Sequence, residues 1–186
     1  MLLLILGSGV VANVVLSLTK GHQSGWIVIT FGWAMAVFLG VIVSTNLGGS
    51  GHLNPAVTIA MSLFSDFDDS LVLPYLLAQM AGAFVGSTLV WLAYKPHFDT
   101  THDRDLKLAV FSTSPAIRNT FHNFFTELLG TFVLVFGALA MSKPSDALGT
   151  LNALPVALLV LGIGLSLGGP TGYAINPARD LGPRFA

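Results

Sequence analysis

Two copies of Asn-Pro-Ala, Asn54-Pro55-Ala56 and Asn176-Pro177-Ala178, are the residues of this chain with the most to say about chemistry. Asparagine is a favoured helix N-cap, because its side-chain oxygen accepts from the free N–H groups of the first turn. Proline suits the first helical position, where its missing N–H costs nothing. Many helices begin this way. Here each triplet opens an apolar stretch too short to cross a bilayer, Asn54–Phe64 and Asn176–Ala186, and follows a glycine-rich loop, Gly48-Gly49-Ser50-Gly51 or Gly168-Gly169-Pro170-Thr171-Gly172. The pattern predicts two loops that dip into a membrane and return as half-length helices with facing N-termini. Each N-terminus carries about half a positive charge. The amides of Asn54 and Asn176 are then free to donate to a small hydroxyl-bearing solute or water, while a cation meets a positive field.

Two charged residues follow the second triplet at once, Arg179 and Asp180. An arginine at membrane depth costs roughly 2.5–3.5 kcal/mol on insertion scales unless it lines a cavity. The functional reading of Arg179 is a hydroxyl donor and cation barrier at a pore mouth; the plain one is a side chain snorkelling to the interface. Asp180 either pairs with a nearby cation or bears directly on pore width. Glu127 opens an apolar segment, where a carboxylate favours a helix N-terminus for ordinary reasons. His52 precedes the first triplet, while His22, His97, His102 and His122 are scattered in or near loops. Without cysteine or paired spacing they suggest no metal site. No nucleophile–base pair, phosphate loop or dinucleotide fingerprint stands out, so neither an enzyme nor a cofactor is expected.

The elements that must position these residues are membrane-like. Of the 186 residues, 53% are hydrophobic and 9% charged, against about 25% charged in an ordinary soluble domain. Mean hydropathy is +0.77. The net charge of −1 gives no reason to expect a nucleic-acid partner. Five long apolar segments are predicted: Leu2–Leu18, Trp26–Thr45, Leu71–Tyr94, Phe121–Met141 and Leu151–Leu167. Trp26, Trp91 and Tyr94 near segment ends read as an aromatic belt. Polar connections fall at 65–70, Lys95–Asn119 and Ser142–Thr150, the last carrying Lys143. Basic residues show no loop asymmetry that would orient the chain.

The order long, long, half-length, long recurs as long, long, half-length. Three full spans in the first set invert the second, and such a repeat points to a site at the midplane between the halves. The expected organisation is one all-α membrane domain over 1–186, with repeat one at 1–94 and repeat two at 120–186. By the same logic the chain is expected to lack the start of its first helix and the last helix of the second repeat, and so to be a poor channel alone.

Four stretches carry a family resemblance. Gly51-His52-Leu53-Asn54-Pro55-Ala56-Val57-Thr58 and Gly172-Tyr173-Ala174-Ile175-Asn176-Pro177-Ala178-Arg179-Asp180 resemble the paired motifs of the major intrinsic proteins, or aquaporins. Ala78-Gln79-Met80-Ala81-Gly82-Ala83 and Glu127-Leu128-Leu129-Gly130-Thr131 resemble that family's third and fourth helices. The resemblance implies a multi-pass channel in the cell membrane, a homotetramer with one pore per subunit, and exclusion of ions by an arginine and the half-helix ends. It implies that Glu127 is a buried structural carboxylate accepting from re-entrant backbone, and that His52 gives structural support while the carbonyls of its loop line the pore. It places a four-residue filter at Phe31, Gly164, Tyr173 and Arg179. Phe31 has Trp33 as its alternative, since the stretch to Asn54 is lengthened around Thr45–Gly49. Gly164, Tyr173 and the subfamily marker Asp180 are similar to the glycerol-conducting branch: an apolar wall facing an arginine suits a polyol, with water passing too.

Three other readings stay open at this point. A strictly water-selective pore follows if Trp33 narrows the filter. A secondary transporter shares broken helices and inverted repeats, although only neutral amides stand between the half-helices. A purely structural junction protein would show no permeability.

Overall fold

The computed structural model describes residues 1–141 and 146–186. The first part of the connection expected over Ser142–Thr150, with Lys143, lies outside the described residues. Eight α-helices are described: α1 Leu2–Val15, α2 Trp26–Asn46, α3 Pro55–Phe64, α4 Val72–Thr100, α5 Arg104–Phe111, α6 Thr120–Ala140, α7 Leu154–Leu167 and α8 Pro177–Leu181. Single 3-10 turns precede α4 and follow α8, and a 3-10 stretch runs into α7.

Four helical stretches are long and apolar enough to cross a membrane: Trp26–Asn46, Asp69–Thr100, Thr120–Ala140 and Gly149–Leu167. The 21 residues of α2 and of α6 give about 31 Å each at 1.5 Å per residue, the hydrocarbon thickness of a bilayer. Their outward faces carry exposed Ile27, Phe31, Phe124, Phe132 and Phe136, as expected of helices that meet lipid.

Several boundaries differ from the sequence reading. Helix α1 stops at Val15, short of Leu18, where the backbone turns left-handed (φ 63°). Ser17 holds that turn against the end of α4: its N–H donates to Thr101 Oγ1 (2.9 Å) and its carbonyl meets His97 Nδ1 (2.9 Å). Helix α4 runs to Thr100, past Pro96 and well beyond Tyr94. The connection expected over Lys95–Asn119 therefore contains the last turns of α4 and the whole of α5. Asp103 caps α5 by accepting from the N–H groups of Asp105 and Leu106, a cap that a polar run conceals from a hydropathy reading.

The half-helices start as their sequences dictate. The Asn54 side chain accepts from Ala56 N (2.9 Å), Pro55 is the first residue of α3, and the Asn176 side chain accepts from Arg179 N (3.1 Å) ahead of Pro177. Helix α3 ends at Phe64 as expected; α8 gives way to a 3-10 turn at Gly182–Phe185 instead of continuing to Ala186. Between the long helices, α1 packs on α2 and α4, α2 on α7, and α6 on α7.

Candidate pore site

Reciprocal hydrogen bonds join the two half-helix starts. Asn54 Nδ2 donates to Ile175 O (2.7 Å), and Asn176 Nδ2 donates to Leu53 O (2.9 Å). Each asparagine thus caps its own helix through its oxygen and grips the opposite loop through its nitrogen. The amides are less free than the sequence suggested: one of two protons on each is committed across the interface. The N-terminal ends of α3 and α8 are brought together, and their partial positive charges add at this point.

The two loops are held by different means. In the first, Gln79 Nε2 donates to His52 O and to Thr58 Oγ1, both at 2.9 Å. In the second, the Glu127 carboxylate accepts from Ala174 N (3.1 Å) and Ile175 N (3.0 Å). That loop needs the help. Tyr173 and Ile175 both have left-handed backbones, with φ of 41° and 39°, a conformation costing about 1–3 kcal/mol per residue outside glycine. Replacing Glu127 by alanine would orphan two N–H groups at about 1–3 kcal/mol each. The expected result is a marked fall in the melting temperature of the detergent-solubilised protein and loss of flux. Glu127→Gln keeps one acceptor and should lose roughly half as much. An unchanged melt for Glu127→Ala would show that the loop is held elsewhere.

Above the asparagine pair, Arg179 is 7% exposed. Its Nη1 donates to Phe111 O (3.4 Å), and its guanidinium carbon lies 4.1 Å from the centre of the Trp33 ring. The ion pairs among the described residues are Lys95–Asp99 and Arg184–Asp180, so no carboxylate pairs with Arg179. Asp180 instead accepts from Thr113 N (2.7 Å), Thr113 Oγ1 (3.0 Å) and Arg184, and Arg184 also donates to Thr113 O (3.0 Å). Through these contacts Asp180 ties the segment after α5, whose Phe111 carbonyl meets Arg179, to the end of α8.

Phe31 is corrected. It is 54% exposed, whereas Trp33 is 4% exposed and faces Arg179. Two residues on a helix are about 200° apart, so the two rings point to opposite faces of α2 and only one can reach the interior. Trp33 fits because Gly7 of α1 lies behind it; a Cβ on Gly7 would overlap the indole. Gly164 does the same for Tyr173. A Cβ there would lie 2.8 Å from Tyr173 Cζ and 3.0 Å from Thr30 Cγ2.

A cavity of about 680 Å³ is lined by Trp33, Tyr173 and Arg179, by both asparagines, and by Thr45, Ser50 and Asn152. Val37, Val57 and Val160 supply an apolar wall. His52 packs at a tilt against Phe67 (4.7 Å between ring centres) and edge-on to Tyr75 (5.8 Å), and Ser50 N donates to the Tyr75 hydroxyl (2.9 Å). Sequence reasoning missed the parts played by Gln79, Phe111, Thr113 and Arg184. A glutamine inside an apolar span was the one available signal; the others depend on tertiary contacts.

Comparison with known proteins agrees with this geometry. The family description Major intrinsic protein matches residues 1–186. The chain is 56% identical over 186 residues to a probable glycerol uptake facilitator protein of Thermotoga maritima, covering all of this chain and 79% of that one. It is 53% identical over 185 residues to a glycerol uptake facilitator protein of Streptococcus pneumoniae, covering 78% of it. The solved aquaglyceroporin of Plasmodium falciparum superposes with a TM-score of 0.82 at 32% identity, over 99% of this chain and 75% of that one.

Proposed function

The chain belongs to the major intrinsic protein family, and on that footing we propose that it is a passive multi-pass membrane channel for glycerol and similar small uncharged solutes. The observation that carries the reading is the buried Arg179, in no ion pair among the described residues, facing the Trp33 ring in a cavity that both asparagines also line. Glycerol has a hydroxyl edge and a carbon edge. Arg179 and the second amide protons of Asn54 and Asn176 serve the first; Trp33, Tyr173 and the valine wall serve the second. Gly164 carries no side chain, which lets the Tyr173 ring lie against its backbone. Water shares the path, and the arginine with the two half-helix ends opposes protons and cations.

The segments 1–94 and 120–186 act as inverted repeats, a reading supported by the reciprocal asparagine bonds, which a twofold relation between the halves generates. A homotetramer with one pore per subunit is part of this proposal, by resemblance to the family, and the exposed aromatic face of α6 is available as lipid- or subunit-facing surface.

The test is light scattering from liposomes holding the full-length parent of this chain, shocked with sucrose and then with glycerol. Shrinkage followed by fast re-swelling in glycerol, with low activation energy, is expected. Fast shrinkage without accelerated re-swelling would make it a water-selective pore, and saturable ion-dependent uptake would make it a transporter. No permeability at all would leave a structural protein.

A further inference from the structure

Trp26, the first residue of α2, reads in the sequence as a marker of the membrane interface. Its contacts are more particular. Helix α7 ends at Leu167, so Gly164 O is the first carbonyl whose helical donor falls beyond the last turn. Trp26 Nε1 donates to that oxygen at 3.0 Å. The indole stands nearly perpendicular to the Tyr173 ring, with centres 5.8 Å apart and 80° between planes. Both rings press on the same backbone: a Cβ on Gly168 would lie 2.6 Å from Tyr173 Cδ1 and 2.8 Å from Trp26 Cζ2.

Tyr173 depends on such walls. Its hydroxyl is buried with no hydrogen-bond partner, so nothing polar fixes the far end of the ring. Gly164 lies against the ring, with the Thr30 methyl beside Gly164, and Trp26 supplies the edge contact. We propose that Trp26 is a positioning residue for the filter: by capping α7 at Gly164 and abutting Tyr173, it sets the ring's orientation and hence the largest solute that passes. The proposal rests on the filter reading above. Removing the indole opens space on the side of the ring that Trp26 occupies, and the ring relaxes into it.

The experiment compares reconstituted wild type, Trp26→Phe and Trp26→Ala for water, glycerol, erythritol and xylitol permeability. Trp26→Phe keeps an aromatic edge and loses the N–H. It is expected to raise the erythritol-to-glycerol ratio about threefold, the weight of one ordinary hydrogen bond. Trp26→Ala is expected to raise it about tenfold, with water permeability per folded channel within about twofold of wild type. Ratios that stay at the wild-type value in both variants, or permeabilities that all fall in parallel with folded protein, would overturn the proposal. Should alanine prevent folding, the phenylalanine ratio decides alone. Failure of the filter reading looks different: wild type itself would show no glycerol re-swelling.

Discussion

Replacing Arg179 by valine is expected to raise passive proton flux through the reconstituted protein by about ten- to a hundredfold, while glycerol still passes. The guanidinium is buried, donates to Phe111 O and lies over the Trp33 ring, and among the described residues no carboxylate stands within ion-pair distance of it. A second unit charge passing about 4 Å away meets roughly 4 kcal/mol of repulsion at an effective dielectric constant near 20. At 1.4 kcal/mol per decade that sets a ceiling of about three orders of magnitude. The realised change is smaller, because the α3 and α8 dipoles at the asparagine pair remain as a second barrier in series. Flux of a pH-sensitive dye signal across loaded liposomes under a pH gradient measures it. A leak equal to wild type, with glycerol transport intact, would remove Arg179 from the role of cation barrier.

Gly164→His should abolish the glycerol phase and leave most of the water phase. The new Cβ would sit 2.8 Å from Tyr173 Cζ and 3.0 Å from Thr30 Cγ2. Neither neighbour gives way easily: Thr30 is fully buried and bonded to its own helix through Trp26 O and Ile27 O. Tyr173 is backed by Trp26. Overpacking of this kind costs about 1–3 kcal/mol. The imidazole escapes only by occupying the corner that a polyol's carbon edge would need. Glycerol permeability is expected to drop at least about tenfold, and water permeability by no more than about threefold. In the osmotic assay the sucrose shrinkage survives and the glycerol re-swelling disappears. Glycerol re-swelling at the wild-type rate would mean that residue 164 does not border the path.

The chain's architecture was largely legible because its signals are local. Asn-Pro-Ala writes an N-cap and a first turn into three adjacent residues, and both half-helices begin where those residues say. Apolar runs of bilayer length gave α2 and α6 to within a residue or so. The reading faltered where position depends on the rest of the fold. Phe31 and Trp33 are both aromatic and two residues apart, and nothing local says which side of α2 faces inward. The answer comes from Gly7 on α1 and Arg179 near α8. Trp26 satisfied a belt reading so readily that its bond to Gly164, 138 residues away, left no trace in the sequence. Helix α5 was hidden because its mixed polar composition resembles a loop and only the Asp103 cap betrays it.

The crossed asparagine bonds also bear on how the molecule comes into being. Asn54 and Ile175 are 121 positions apart, and Asn176 and Leu53 are 123 apart. At a synthesis rate of about 5–20 residues per second, the partner of Asn54 leaves the ribosome roughly 6–24 s after Asn54 itself. Helix elongation takes nanoseconds per residue, so α3 is ready long before anything exists to receive its amide. For that interval the first loop has a finished helix start and no counterpart. The asparagine crossing is therefore joined late, and the first half of the chain must keep a polar group waiting in the membrane until the second half arrives.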